Sequence, residues 1–274
     1  MEDGAHGKTI LDRIVAARRE SVAHRKRVLP DVALKLAVEK QTAARDFAAA
    51  LSRPGCNVIA ELKKASPSLG VIRENYQPVP LARNLESAGA TALSVLTEEE
   101  FFQGSLADLK EVKKAVSIPI LRKDFIIDSW QVWEARAAGA DSFLLIVAVL
   151  SDELLSELLA LGRQLGMEPL IEVHSRGELE RAKAAGAKII GVNNRDLRDF
   201  KVSLHTSLDL IREIPEDAVA VSESGLHSRE DLERLQSAGF DAFLIGERLM
   251  KQPDPAAGLK ELLGIVDAGA AGAR

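Results

Sequence analysis

Apolar residues cluster along the chain in short runs at positions 58–62, 92–96, 118–121, 142–146, 169–172, 189–192, 218–222 and 242–245. Between these runs, longer segments carry apolar side chains at helical spacing. Strands that alternate with helix-length segments predict βαβ units and a parallel sheet. A repeat sharpens the expectation. Ser87-Ala-Gly-Ala-Thr91, Ala137-Ala-Gly-Ala-Asp141, Ala184-Ala-Gly-Ala-Lys188 and Ser237-Ala-Gly-Phe-Asp241 each lie between an amphipathic segment and an apolar run, where the glycine reads as a helix C′ stop. Gly89, Gly139, Gly186 and Gly239 stand 50, 47 and 53 residues apart, which is two βα units per interval. Four such repeats account for eight strands, so the pattern predicts one α/β domain, a (β/α)8 TIM barrel, in preference to an open doubly wound sheet.

Ahead of the first run, residues 9–50 read as helical: Ile10, Ile14 and Val15 recur at helical spacing, and Leu34, Leu36, Phe47 and Leu51 suggest a second amphipathic piece. The expected organisation is a helical extension over residues 1–50 packed on the barrel, the barrel itself over 51–265, and a flexible, small-residue tail over 266–274.

Composition narrows the class. The 274 residues are 46% hydrophobic and 28% charged but only 4% aromatic, which suits helices packed on short parallel strands and one large core. The net charge of −5 and the absence of a basic stripe with interleaved aromatics argue against a nucleic-acid partner. The one dense basic run, His24-Arg25-Lys26-Arg27, reads as a solvated helix C-terminus favoured by the macrodipole. A single cysteine, Cys56, allows neither an internal disulfide nor a CxxC metal pair. The start of the chain lacks a signal-peptide pattern and no apolar stretch reaches the ~20 residues a membrane span needs, so a cytoplasmic protein is expected.

In such barrels chemistry collects at the C-terminal ends of the strands. The first run ends Ala60-Glu61-Leu62-Lys63, and strand alternation puts Glu61 and Lys63 on one face. Later runs deliver Leu121-Arg122-Lys123-Asp124-Phe125, Leu170-Ile171-Glu172-Val173, Gly191-Val192-Asn193-Asn194-Arg195 and Ser222-Glu223-Ser224. Singly, a strand-end Lys or Glu is more often a solvated loop residue. Two lysines and three glutamates converging on one rim point instead to proton-transfer chemistry. Ser222-Glu-Ser-Gly225 after strand seven and Ile245-Gly246-Glu247 after strand eight occupy the positions where these barrels hold a phosphate on backbone N–H groups. The loop over residues 64–78 is long and rich in Ser, Pro and charge, as functional βα loops tend to be. Of the histidines, only His174 lies near a strand end, and with no HxH or HExxH pair a metal site is not expected.

Glu61-Leu-Lys-Lys-Ala-Ser-Pro-Ser68 with Gly70, Leu121-Arg-Lys-Asp-Phe125, Leu170-Ile-Glu-Val-His174, Gly191-Val-Asn-Asn-Arg-Asp-Leu197, Ser222-Glu-Ser-Gly225 and Leu244-Ile-Gly-Glu247 together resemble the indole-3-glycerol-phosphate synthase family over roughly residues 45–265. The resemblance implies ring closure, decarboxylation and dehydration of 1-(2-carboxyphenylamino)-1-deoxyribulose 5-phosphate, with no cofactor or metal. By resemblance, Lys123 protonates the ribulose carbonyl oxygen, its pKa lowered by neighbouring cations. Lys63 faces the substrate carboxylate and is a candidate acid, Glu172 is the general base with Glu61 as partner or competitor, and Asn193, Glu223 and Ser224 hold hydroxyls and position the lysines. The phosphate would lie on Ser66, Gly225, Gly246 and the backbone N–H of Glu247. Arg195 adds a charge near the ligand, and Phe102, Phe125, Leu144 and Leu197 wall the anthranilate ring. The expected partner is this small molecule alone, bound by a monomer, with a dimer left open.

Three other readings compete. A phosphoribosylanthranilate isomerase-type enzyme would use a Cys base and an Asp acid, but Cys56 precedes strand one and belongs at the wrong end of the barrel. A tryptophan synthase α-type lyase would rely on carboxylates without two mouth-facing lysines. A phosphate-binding barrel without turnover would bind ligand and release no product.

Overall fold

The computed structural model describes residues 9–196 and 201–265. Eight parallel strands close into a barrel in sequence order: β1 (Asn57–Leu62), β2 (Ala92–Leu96), β3 (Ile120–Lys123), β4 (Ser142–Ile146), β5 (Leu170–Val173), β6 (Ile189–Asn193), β7 (Val219–Glu223) and β8 (Ala242–Ile245). Closure is made by β1, which pairs with β8 through Asn57↔Ala242 to Ala60↔Ile245 and with β2 through Ile59↔Ala92 to Leu62↔Val95. The chain is a single (β/α)8 barrel, and its wall is covered by α4 (Pro78–Ser87), α5 (Leu106–Ala115), α6 (Ser129–Ala137), α7 (Asp152–Gln164), α8 (Arg176–Ala184), α9 (His205–Leu210), α10 (Arg229–Ala238), α11 (Glu247–Met250) and α12 (Pro255–Leu263).

The strands divide their side chains by period two. Val58, Ala60 and Leu62 face the helices, whereas Ile59 joins Leu121, Leu144, Leu170, Ile189, Val221 and Leu244 inside the barrel. The third strand starts and ends two residues later than its apolar run, because Arg122 and Lys123 still pair in the ladder with Val95 and Leu96. A charged residue can extend that strand because Arg122 is fully buried on the helix side with Thr97, Asp124 and Glu134 as partners.

All four repeat glycines adopt the left-handed conformation, with φ between +79° and +118°. Two of the residues that close these repeats tie a strand start to its neighbour: Asp141 accepts from the Ile120 N–H at 2.9 Å, and Asp241 from the Ala220 N–H at 2.8 Å. At the end of α12, Leu263 and Ile265 lie close to Gly89, the stop that precedes β2, so the described C-terminus ends at the foot of the barrel.

The extension is three helices, α1 (Ile10–Val28), α2 (Asp31–Glu39) and α3 (Phe47–Leu51), not two amphipathic pieces. The expected second piece divides because its apolar residues serve different partners. Leu34 packs with Val22 and Trp130, Leu36 is exposed, and Phe47 and Leu51 enter the interior cluster of the barrel from below. Asp141 anchors this lower end, accepting from the Arg45 N–H at 2.7 Å and from Lys113 Nζ. The basic run at the end of α1 is not merely solvated. Arg25 pairs with Glu134, and Lys26 with Asp128 at 2.9 Å, because α1 lies across the loops after β2 and β3. The expected tail at 266–274 lies outside the described residues, and among the described residues no helix is long and apolar enough to cross a membrane.

Candidate active site

A cavity of about 350 Å³ opens at the C-terminal ends of the strands. Because inward positions alternate, the layer above Ile59, Leu121, Leu170 and Val221 is formed by Glu61, Lys123, Glu172 and Glu223, while on β6 Gly191 follows Ile189 and Asn193, one step further, lies beside Glu223. The predicted residues Glu61, Lys63, Lys123, Glu172, Asn193, Glu223 and Ser224 all line this one cavity. So do Ser66, Gly225, Gly246, Glu247, Phe102, Phe125, Leu144 and Arg195. Leu197 falls outside the described residues.

The charges at the mouth are paired with one another. Lys63 Nζ stands 2.7 Å from Glu61, and Lys123 Nζ bridges Glu223 at 2.6 Å and Glu172 at 3.1 Å. The expectation that nearby cations lower the pKa of Lys123 is overturned. Burial alone would lower it, but Glu223, Glu172 and Glu61 outweigh burial and hold the ammonium well above its usual range. Burial drives the Glu223 carboxyl up, and Glu172 and Glu61 add to that against the pull of Lys123, so it titrates at about 7. Glu172 is opposite in behaviour: against its burial, Lys123 and His174 keep it below the ordinary carboxylate value. Two buried carboxyls on neighbouring sides of one ammonium are thereby split into an ionised group and one that shares its proton near neutrality.

Strand β7 is followed by two successive left-handed residues, Ser224 (φ +66°) and Gly225 (φ +75°). A non-glycine residue held there costs about 1 kcal/mol or more, and such strain persists where the turn has a task. Asn194 secures the turn from behind, donating to Ser222 Oγ at 3.0 Å and to the Glu223 and Ser224 carbonyls. Across from it, Gly246 precedes α11. The Glu247 carboxylate is engaged by Arg195 at 3.0 Å and Lys251 at 2.7 Å, so the charge expected from Arg195 is already shared with Glu247. The loop after β1 folds into a small hairpin, Ala65–Ser66 against Gly70–Val71, and Arg73 fastens it by donating to the Gln252 carbonyl at 2.9 Å. Phe102 and Phe125 face each other at 6.1 Å between centroids, tilted by 38°.

Three features of the mouth escape the sequence pattern. The roof includes Ile10, Leu11 and Ile14 of α1, whose helical periodicity was visible but not the end of the barrel it covers. Gly191 and Gly246 are glycines for lack of room: a Cβ at Gly191 would overlap the Glu223 carboxylate, and one at Gly246 the Glu61 carboxylate. Arg18, 2% exposed, reaches from α1 to Asp124 and Glu99, each at 3.0 Å, and to Glu98 at 3.4 Å. Glu98 in turn accepts the backbone N–H groups of Glu100, Phe101 and Phe102, which fixes the turn that presents Phe102. Cys56 precedes β1 at the opposite end from the mouth. Among the described residues no group of three or more His, Cys, Asp or Glu is placed to hold a metal ion.

Comparison with known proteins agrees with this geometry. The solved structure of a 3-hexulose-6-phosphate synthase superposes with a TM-score of 0.60 at 16% identity, covering 77% of this chain and all of that one. The Salmonella typhimurium enzyme of the same name gives 0.61 at 12% identity, covering 76% and 97%. At such identities the likeness concerns the fold. In sequence, the chain is 46% identical over 259 residues to the indole-3-glycerol phosphate synthase of Burkholderia vietnamiensis, covering 92% of this chain and 98% of the relative. It is 50% identical over 246 residues to that of Chloroherpeton thalassium, covering 88% and 95%. The family model described as indole-3-glycerol phosphate synthase matches residues 11–262. With two lysines and three glutamates gathered at one barrel mouth and a family match that spans nearly the whole chain, this protein belongs to the indole-3-glycerol phosphate synthase family.

Proposed function

We propose that the residues at this mouth divide the family's reaction among themselves as follows. As a member of that family the chain is a carboxy-lyase of tryptophan biosynthesis. It closes the indole ring of 1-(2-carboxyphenylamino)-1-deoxyribulose 5-phosphate, then expels CO₂ and water. Lys123 gives its proton to the ribulose carbonyl oxygen as the aromatic carbon attacks. Its raised pKa is compatible with that role, because the oxygen becomes an alkoxide, a far stronger base than the carbonyl. Glu223, titrating at about 7 and 2.6 Å from the ammonium, is the proton reserve that recharges Lys123.

Lys63 faces the carboxylate that leaves as CO₂, held meanwhile by Glu61 at 2.7 Å. Glu172, kept ionised, takes the final proton. Asn193 and Ser224 hold substrate hydroxyls. The phosphate rests on Ser66, on the backbone of Gly225 and Gly246, and on the Glu247 N–H, whose own carboxylate is occupied by Arg195 and Lys251. Phe102, Phe125, Leu144 and Leu197 wall the aromatic ring.

The observation that carries this division is Lys123 suspended between Glu172 and Glu223 inside the cavity. Lys123→Ala tests it: with a fold unchanged by circular dichroism, indole fluorescence should show no product from the carboxyphenylamino substrate. Turnover near the wild-type rate would refute the assignment. Normal substrate binding by wild-type protein without any product would favour a binding barrel instead. The same reading divides the chain into an extension that ends at residue 50 and a barrel of 51–265. It also places the enzyme in the cytoplasm as a monomer. The lone Cys56, without a second thiol to pair with, supports a reducing compartment, and size-exclusion chromatography reads the oligomeric state.

A further inference from the structure

His174 follows β5 and stands behind Glu172, outside the cavity lining. Its side chain is 14% exposed, and its Nε2 is 3.4 Å from Glu172 Oε1. On the other side of the ring, Nδ1 is 3.3 Å from Glu178 in the first turn of α8, and Glu178 also accepts the His174 backbone N–H at 2.8 Å. The imidazole is therefore gripped from one side and aimed at the base from the other. Nε2 is buried and has no hydrogen-bond partner of good geometry, so while Nδ1 is taken by Glu178, what this side of the ring offers Glu172 is charge.

A count of charges at the mouth gives that position its meaning. Lys63 is committed to Glu61, and the single ammonium of Lys123 serves both Glu172 and Glu223. Once Lys123 has delivered its proton to substrate, neither carboxylate retains it as a counter-charge. Among the described residues, the other cation acting on Glu172 is a protonated His174. We infer that His174 is a positioning residue whose imidazolium keeps Glu172 ionised through the part of the cycle in which Lys123 is neutral, so that Glu172 is free to accept the last proton.

The charged groups facing the ring are Glu178 from α8, Glu172 from β5 and Glu223 from β7. Although burial opposes it, these three carboxylates raise the His174 pKa, which favours the charged ring near neutral pH.

The inference rests on Glu172 being the base, so Glu172→Gln is measured first and should lose turnover. Turnover retained by Glu172→Gln would remove the base assignment and this inference with it. Given its loss, the pH profile of kcat is compared for wild type, His174→Asn, His174→Gln and His174→Lys. A cation within 4–6 Å moves a carboxylate by about one unit or more. The neutral variants should therefore shift the acid limb upward by about one pH unit, lower kcat by about tenfold only at pH values below the wild-type limb, and leave KM within about twofold. His174→Lys should return the limb toward the wild-type position. The limb position does not depend on how much of a variant folds, so partial folding leaves the comparison intact. Acid limbs that coincide in wild type and the neutral variants would overturn the inference while leaving Glu172 as base. An equal shift in the Lys variant would overturn it too, by showing that shape rather than charge is what His174 supplies.

Discussion

Replacing Arg18 by methionine tests whether the extension belongs to the active site or merely decorates it. The substitution keeps most of the side-chain volume and removes a guanidinium that ties α1 to Glu98, Glu99 and Asp124. Breaking a buried ion pair by deleting one partner costs about 3–5 kcal/mol. The lower end applies here, because the carboxylates are not abandoned. Asp124 keeps Arg122 at 3.1 Å, Thr97 Oγ1 at 2.6 Å and the Phe125 N–H at 2.8 Å, and Glu98 keeps its three backbone donors. At roughly 2–4 °C per kcal/mol for a protein of this size, about 3 kcal/mol lowers Tm by about 6–12 °C. The same residues flank Lys123 and present Phe102, so KM for the carboxyphenylamino substrate should rise severalfold in steady-state indole fluorescence. A Tm within 2 °C of wild type, with KM unchanged, would refute the reasoning and leave α1 as a passive cover.

Gly191→Ala puts a methyl group where the Glu223 carboxylate lies, so kcat should fall about tenfold or more; an unchanged kcat would mean Glu223 has a second acceptable position. Phe47→Ala empties the plug beneath the interior cluster and should cost about 3–5 kcal/mol in urea unfolding while leaving KM alone, with a loss under 1 kcal/mol contradicting the plug. Glu223 titrates at about 7 when folded against 4.5 in the open chain, so between those values the folded state holds more protons than the unfolded one. Its contribution to stability is fully present below pH 4.5 and lost as pH rises through 7. Glu223→Gln should accordingly shrink the difference in urea midpoint between pH 5 and pH 7.5. Equal differences in the two proteins would place the carboxyl at its ordinary value.

Much of the barrel was legible because its signals are local. A glycine after a helix must turn left-handed, and Gly89, Gly139, Gly186 and Gly239 do so. Period two along a strand then carries Glu61, Lys123, Glu172, Asn193 and Glu223 to one rim without further information. What stayed hidden depends on neighbours distant in sequence. The sign of the Lys123 shift is set by Glu172 and Glu223, 49 and 100 residues away. The third strand reaches Lys123 because Arg122 finds buried partners in Thr97 and Glu134, which no apolar pattern announces. Helical periodicity in residues 9–50 revealed faces to bury but not which end of the barrel each would cover, so Ile14 over the mouth and Phe47 beneath it looked alike.

The two ends of the described chain leave from opposite poles of the molecule. Ile10 begins the helix that roofs the catalytic cavity, whereas Ile265 lies by Gly89 at the foot of the strands. Purification handles, surface-immobilisation chemistry or a second enzyme joined beyond residue 265 would stand clear of arriving substrate. The same cargo attached just ahead of residue 10 would hang over its doorway.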